Sequence, residues 1–366
     1  MNKQELIYLL ALQKAKGIGS INAKKLIKHC GSATAVFNEK TENLLKIDGI
    51  GAFTLKGLKE KSLLKKATKE YEFALKNNIQ ILSFLNDDYP EFLKNAIDSP
   101  IVYFQKGKIN FANNRIISIV GTRNMTNYGK AFLEKLFDEI KQYNPIIISG
   151  LAYGVDVYAH QLAIKNNLQT VAVLAHGLNQ IYPAKHHKEA TKMLENGGLI
   201  TEFWSTAKPD RENFIKRNRI VAGLSMATIV IESAVKGGSL ITADIANSYN
   251  RDVFALPGRV TDLYSAGCNN LIKTNKAAMI TNAKDLVYLL NWDITKKPQA
   301  IQKQLFIELD DTEEKIHQYL LNEGKQSLDM IALHCNLPIF QISSILLNLE
   351  LKGVVKPLHG KLFEAI

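Results

Sequence analysis

Apolar residues are spaced in three different ways along this chain. Between residues 116 and 256 they come in short, almost unbroken runs: Ile116-Ile117-Ser118-Ile119-Val120, Ile146-Ile147-Ile148-Ser149, residues 170–174, Ile200-Thr201-Glu202-Phe203, residues 227–232 and residues 252–256. Most of these runs stop at glycine: Gly121, Gly150, Gly177, the Gly237-Gly238 pair, and Gly258 after Pro257. Helical stretches lie between them, over 129–140, 156–166 and up to Tyr249. Unbroken Val/Ile runs alternating with helices predict a parallel sheet buried on both faces. Right-handed crossovers then collect the glycine loops at one edge of the sheet, where open α/β folds bind ligands. Residues 77–110 read as a lead-in, with Asn78-Ile79-Gln80-Ile81-Leu82-Ser83 and a short strand, Ile101-Val102-Tyr103-Phe104, after Pro100.

Residues 1–60 follow a different pattern, short helices interrupted by Gly17-Ile18-Gly19 and again, 32 residues on, by Gly49-Ile50-Gly51. Apolar residues precede and follow each break, which resembles a tandem helix-hairpin-helix (SAM-like) unit. In such a turn the amides opening the second helix face outward and, with the helix dipole, hold a phosphate. Gly17, Gly19, Gly49 and Gly51 are therefore candidate secondary DNA contacts; the alternative is a helical interaction module with glycine serving only close packing. The third pattern occupies residues 312–366. Thr312-Glu313-Glu314 opens a helix with an acidic first turn, helices are expected over 327–335 and 338–352, and Gly353-Val354-Val355-Lys356 and Lys361-Leu362-Phe363 read as strands around His359-Gly360. Three helices and a hairpin predict a winged helix. The expected domains are a helical module at 1–76, a Rossmann-like domain at 77–290, a polar linker at 291–311 and the winged helix at 312–366.

Composition narrows the partners. The chain has 366 residues, 46% of them apolar, which excludes global disorder. No apolar run approaches the roughly 18 residues that span a bilayer, and the N-terminus has no small-residue cleavage site, so a cytosolic protein is expected, with no membrane partner. Cys30, Cys268 and Cys335 lie far apart and form no CxxC, which supports neither disulfides nor zinc. The net charge is +11. Residues 1–80 carry 15 Lys against 7 acids, a surplus of +8; residues 312–366 carry 5 Lys against 6 acids, or −1. Such asymmetry points to a polyanion at one end or to a lysine-rich solvated surface.

The glycine loops carry the chemistry. Gly121-Thr122-Arg123 offers a tight turn and a guanidinium, Ser149-Gly150 a second backbone-rich turn, and Lys236-Gly237-Gly238-Ser239 a cation beside the bare amides of a helix start. Phe214-Ile215-Lys216-Arg217-Asn218-Arg219 sets three cations beside an aromatic ring. Together they predict an anion pocket with a stacking surface, as a nucleotide phosphate and its base require. There is no GxGxxG with an acid about 20 residues on, and no GxxxxGK[ST], so neither a dinucleotide enzyme nor a P-loop ATPase is indicated.

The ordered set Ser118-Ile119-Val120-Gly121-Thr122-Arg123, Ser149-Gly150-Leu151-Ala152-Tyr153-Gly154-Val155-Asp156, Ile181-Tyr182-Pro183, Phe214 with Arg217-Asn218-Arg219, Gly238-Ser239-Leu240-Ile241-Thr242-Ala243 and Leu256-Pro257-Gly258 resembles the DNA-processing protein A family (DprA, also called Smf). The resemblance covers roughly residues 77–290, and Leu346–Gly353 resembles the family's winged helix. It implies a non-catalytic, single-stranded DNA-binding recombination mediator, needing no cofactor or metal. Such a protein protects incoming strands in natural transformation, loads RecA recombinase in the presence of single-strand-binding protein, and forms a homodimer. Carried over, the DNA site comprises Arg123, Phe214, Arg217 and Arg219 beside the Gly238-Ser239 turn. Gly237 departs from the family pattern, where Ser is more usual.

Competing readings remain for several residues. Asp156 and His160 form either an acid–base pair or, as favoured, a structural cap with a partly buried histidine. His186-His187 reads as a solvated pair rather than a metal site. His176 follows a strand without an identifiable partner. Trp204 and Trp292 are core anchors or stacking platforms, and Arg219 pairs with Glu202 or Glu232 if it does not touch DNA. A rival function is a nucleotide-processing Rossmann-like hydrolase, with Glu202 or Glu232 as the catalytic acid. The third helix of the winged unit has no cation before Lys352. A DNA-reading helix needs cations for phosphates and polar groups for bases, so this unit is expected to bind protein or pack on its own chain.

Overall fold

The computed structural model describes residues 1–292, 309–358 and 362–366. Most of the expected linker, and the His359-Gly360 turn with Lys361, lie outside the described residues. The chain divides into two compact units, Met1–Asp293 and Ile294–Ile366.

The first unit begins with α1 (Lys3–Lys14), α2 (Ser20–Cys30), α3 (Ala33–Asn38), α4 (Thr41–Leu44), α5 (Ala52–Leu55) and α6 (Leu63–Lys76). Both Gly-Ile-Gly turns resolve alike. The first glycine takes a positive φ, 84° at Gly17 and 78° at Gly49, which side-chain-bearing residues rarely adopt. The isoleucine is buried, and the last glycine is the N-cap of α2 or α5. The repeat is imperfect, because α5 is a single turn that runs into a 3-10 turn at Lys56–Lys59. Lys25 Nζ ties α2 to the second turn through the Asp48 carbonyl at 3.1 Å.

This helical region is not a detached module. Leu9, Leu12 and Leu26 are fully buried in one core with Ile101, Val102, Phe104 and Trp204. Each such leucine contributes roughly 1.5–3 kcal/mol by leaving water, so the region packs on the sheet edge as well as on itself. Gln13 adds a polar clamp: its amide donates to the Val102 and Glu202 carbonyls at 2.8 and 3.1 Å, and accepts from Trp204 Nε1 at 3.1 Å. Trp204 is thus a core anchor, and residues 76–77 mark no break in packing.

The remainder of the unit is β1 (Gln80–Ser83), α7 (Glu91–Lys94), β2 (Val102–Gly107), β3 (Ile116–Val120), α8 (Asn127–Ile140), β4 (Ile146–Ser149), α9 (Val155–Lys165), β5 (Thr170–Val173), α10 (His187–Met193), β6 (Gly197–Thr201), α11 (Arg211–Leu224), β7 (Ala227–Val230), α12 (Gly238–Ser248), β8 (Asp252–Ala255), α13 (Ala266–Lys273), β9 (Ala278–Met279) and α14 (Ala283–Leu289). All six apolar runs are strands of one sheet, ordered β1-β2-β6-β5-β4-β3-β7-β8-β9. From β6 to β9 every pairing is parallel, with Ile117 opposite Ile147 on one side and Ala227 on the other. β1 and β2 extend the β6 edge antiparallel. Two apolar cores cover the faces, one built on Phe137 and Phe254, the other on Tyr103 and Ile220. Trp292 belongs to the first of them.

The second unit contains α15 (Asp311–Glu323), β10 (Gln326–Ser327), α16 (Leu328–Cys335), α17 (Ile339–Leu351), β11 (Val355–Leu358) and β12 (Leu362–Ala365). Asp310 and Glu313 form a reciprocal capping box at the start of α15. β11 and β12 pair antiparallel, and β10 adds a third strand on β12. Ile316, Ile331, Ile342, Leu346 and Leu349 fill its core. Among the described residues no single helix is long and apolar enough to cross a membrane.

Candidate nucleic-acid interface

The strand order decides where a site can form. The chain lays β4, β5 and β6 on one side of β3 and then β7, β8 and β9 on the other, so the order reverses between β3 and β7. The loops leaving a reversal point diverge and open a crevice beyond the carboxyl ends of the strands. A cleft of about 330 Å³ occupies this point, lined by Gly121, Thr122 and Arg123 after β3, Gly150 after β4, and Lys236, Gly237, Gly238 and Ser239 after β7. α11 closes it with Phe214, Arg217, Asn218 and Val221. Those four recur at i, i+3, i+4 and i+7, one face of a helix.

Arg217 is the buried charge of the cleft, only 4% exposed. Its Nη1 donates to the Val173 carbonyl at 2.8 Å, while its Nε has no hydrogen-bond partner among the described residues. Burial pulls its pKa down and the Asp156 carboxylate opposes that. Asp156 is buried too; burial lifts its pKa above the usual 3.8, and Arg217 holds it back. Above them Phe214 carries two cations, with the guanidinium carbons of Arg123 and Arg217 at 5.8 and 6.0 Å from its ring centroid. Arg123 is exposed. α12 starts at Gly238 without a side-chain cap, so the positive end of its dipole faces the same space.

Other expected donors are engaged within the fold. The Gly150 and Ala152 amides donate to Asp156 Oδ2 at 3.1 and 3.4 Å, and the Thr122 amide to the Glu232 carbonyl at 2.7 Å. Ser149 is fully buried, its hydroxyl donating to the Ile119 carbonyl at 2.6 Å. The backbone-rich turns therefore shape the cleft, and the cationic groups that line it are the guanidinium groups, Lys236 and the helix start. At Gly237 a Cβ would lie 2.4 Å from Ser233 Oγ, so the serine of the family pattern would require the Ser233 hydroxyl to turn aside.

Two sequence candidates are not in this cleft. Lys216 and Arg219 project from the opposite face of α11. Arg219 forms a short ion pair with Glu202 and donates to the Asp98 carbonyl at 2.6 Å, and Lys216 lies 3.7 Å from Glu212. Both line a separate cleft with Gly19 and Trp204. The sequence reading of residues 214–219 as one basic cluster is corrected by helical geometry, which splits it between two faces. Cβ atoms on Gly19 or Gly51 would meet nothing within 4 Å, so these helix starts are open, whereas Gly17 faces Phe53.

The competing assignments also resolve. Glu232 is buried and caps the loop before α8, accepting from the Thr126 amide and hydroxyl. Glu202 is paired to Arg219 through one carboxylate oxygen, so both acids of the hydrolase reading have partners within the fold. His160 is completely rather than partly buried, hydrogen-bonded to Thr170 Oγ1, and burial pushes its pKa down to about 3. His186, expected in solvent, is instead buried: its Nδ1 meets the Leu151 carbonyl at 2.9 Å and its ring abuts Tyr153. No group of three metal-ligating side chains occurs among the described residues. Sequence reasoning missed Ser233, Thr242 and Tyr264, which line the cleft, and Arg211, which lines the adjoining groove. Arg211 stands three residues before Phe214, a spacing that could have found it.

The comparisons agree with this architecture. Residues 80–291 match the family described as DNA recombination-mediator protein A, and residues 302–361 match the DprA winged helix domain. The chain is 33% identical over 276 residues to Protein Smf of Escherichia coli (strain K12), covering 74% of each. It is 39% identical over 209 residues to DNA processing protein DprA of Bacillus subtilis, covering 57% of this chain and 70% of that one. Among solved structures, DprA from Streptococcus pneumoniae aligns with a TM-score of 0.63 at 26% identity, over 78% of this chain and 98% of its own. DNA processing protein A from Helicobacter pylori, described for its single-stranded DNA binding mode, aligns with a TM-score of 0.53 at 28% identity, over 58% and 95%. With the profile covering more than half of the chain and the sheet, cleft and winged unit arranged as described, this chain belongs to the DNA recombination-mediator protein A family.

Proposed function

We propose that this chain binds single-stranded DNA in the cleft between β3 and β7 and acts as a cytoplasmic, non-catalytic recombination mediator. In this reading it works as a homodimer in natural transformation, protecting incoming strands and loading RecA recombinase in the presence of single-strand-binding protein. The observation that carries the reading is the convergence of Arg123, Arg217, Lys236 and the α12 start around the Phe214 ring. Cations and an uncapped helix start suit a phosphate, and the ring suits a base. Family membership and the strand-binding relative support it.

Binding through phosphates weakens steeply with salt and depends little on sequence. Arg123→Ala removes an exposed cation without disturbing the buried core. A charge-assisted contact of roughly 1.5–3 kcal/mol predicts at least about a tenfold loss of affinity for oligothymidine, and a logarithmic salt slope shallower by about 0.7. Fluorescence anisotropy across a salt series measures both. Wild-type affinity and slope in the variant would refute the cleft as the strand site.

The winged unit is not expected to hold the strand. α17 exposes Phe340, Leu347 and Leu351, and the cation that follows, Lys352, is paired with Glu313. Removing residues 309–366 therefore leaves oligothymidine affinity close to that of the full chain; a large loss in the same assay sinks this assignment.

A further inference from the structure

Beside the phosphate cleft lies a larger groove of about 1230 Å³ that shares Arg123, Phe214 and Lys236 with it. Its wall adds Ile215, Val235 and Ile241, all exposed, and one more aromatic residue, Tyr182. We propose that this groove is a nucleobase subsite, with Tyr182 as a second base-stacking residue beside Phe214. The inference rests on the proposed function and extends it from the phosphate to the base.

Three observations carry it. The Tyr182 and Phe214 ring centroids are 6.0 Å apart and inclined by 59°, so the two rings form an angled wall rather than a closed stack. Tyr182 is 47% exposed although it lines a concave surface, which leaves ring area open to a planar ligand. Its backbone is fixed from below. The Tyr182 amide donates to His176 Nε2 at 3.2 Å, and His176 Nδ1 lies 2.9 Å from the Gly177 carbonyl. That pair of partners requires the neutral tautomer with its proton on Nδ1. His176 is almost fully buried, and its own carbonyl accepts from Thr201 Oγ1 at 2.9 Å. His176 is thus a positioning residue that anchors Tyr182 to the sheet. A preset aromatic ring loses little entropy when a base stacks on it, and stacking tolerates any base.

The test uses the full-length chain, an oligothymidine, and an abasic strand of equal length, with affinity measured across a salt series. Tyr182→Ala is expected to bind oligothymidine about tenfold more weakly than wild type. Tyr182→Phe and Tyr182→Trp should restore binding. The salt slope should stay unchanged, because no phosphate contact is lost, and wild type and Tyr182→Ala should bind the abasic strand equally. The subsite is overturned if Tyr182→Ala binds oligothymidine as wild type does, or if it loses the same factor on the abasic strand. It is also overturned if the loss comes with a changed sedimentation coefficient, which would make the groove a contact between copies. Failure of the wild type to bind oligothymidine would instead overturn the proposed function, and the subsite with it.

Discussion

Gly150→Ala is expected to abolish strand binding and to lower the unfolding free energy by roughly 2–3 kcal/mol, at the upper end for a single overpacked site. The added Cβ lies 1.7 Å from Arg217 Nη1 and 2.4 Å from its Cζ. An exposed arginine would swing aside. This one cannot do so freely, because it is 4% exposed and Nη1 is bonded to the Val173 carbonyl. Either the β4 loop moves, and with it the amides that hold Asp156, or the guanidinium leaves the cleft. The first outcome deforms the cleft wall and the second removes its central cation. Urea unfolding and oligothymidine binding test this together, and an unchanged midpoint with unchanged affinity excludes it.

Arg217→Ala should have a comparable effect through charge. It leaves the buried Asp156 carboxylate with the Gly150 and Ala152 amides but without the nearby guanidinium charge, and removing one charge from a buried interacting pair costs up to about 3–5 kcal/mol. The sign of the pH dependence follows from Asp156. Burial already raises its folded pKa above 3.8, and Arg217 lowers it, so the variant's value is higher still. A carboxyl with a raised folded pKa retains its full stability below its unfolded pKa and loses stability as pH rises through the folded value. The deficit of Arg217→Ala against wild type should therefore be greatest near neutral pH and shrink as pH falls towards about 4. Denaturation midpoints at both pH values decide it; a deficit independent of pH rules out the ion-pair account.

Much of this was legible in the sequence, for reasons that differ between elements. Six of the seven parallel strands were readable because both faces of the sheet are covered, so Ile116–Val120 or Ile146–Ser149 cannot alternate with polar residues. The short strand expected at Ile101–Phe104 is found as β2, but its antiparallel pairing with β1 and β6 was not legible, because antiparallel extension of a parallel sheet leaves no mark in local spacing. The Gly-Ile-Gly repeat was recognisable because its first glycine needs a positive φ. The shortness of α5 was not, since a 3-10 turn continues it without a change of residue type.

At the site, residue identity and residue role separate. Phe214, Arg217 and Arg219 stand within six positions of each other, yet the 100° step of a helix sends Arg219 to Glu202 and turns Arg217 into the cleft, where it bonds the Val173 carbonyl and feels the Asp156 charge. That division was present in the spacing, whereas the carboxylates that act on the two arginines come from elsewhere in the chain, Asp156 from the first turn of α9 and Glu202 from the end of β6. His186 shows the same limit: nothing around it in sequence announces the Leu151 carbonyl that it meets.

The sequence by itself determined the fold class, the family, and the loops from which the cleft is made, because these follow from hydrophobic period and from ordered short motifs. Only the tertiary structure decided which cations are available to a ligand. Availability depends on partners distant in the chain: Asp156 for Arg217, Glu202 for Arg219, and the carbonyls and carboxylates that occupy the Thr122 and Gly150 amides. The reversal of strand order between β3 and β7 is what brings the remaining donors to one place.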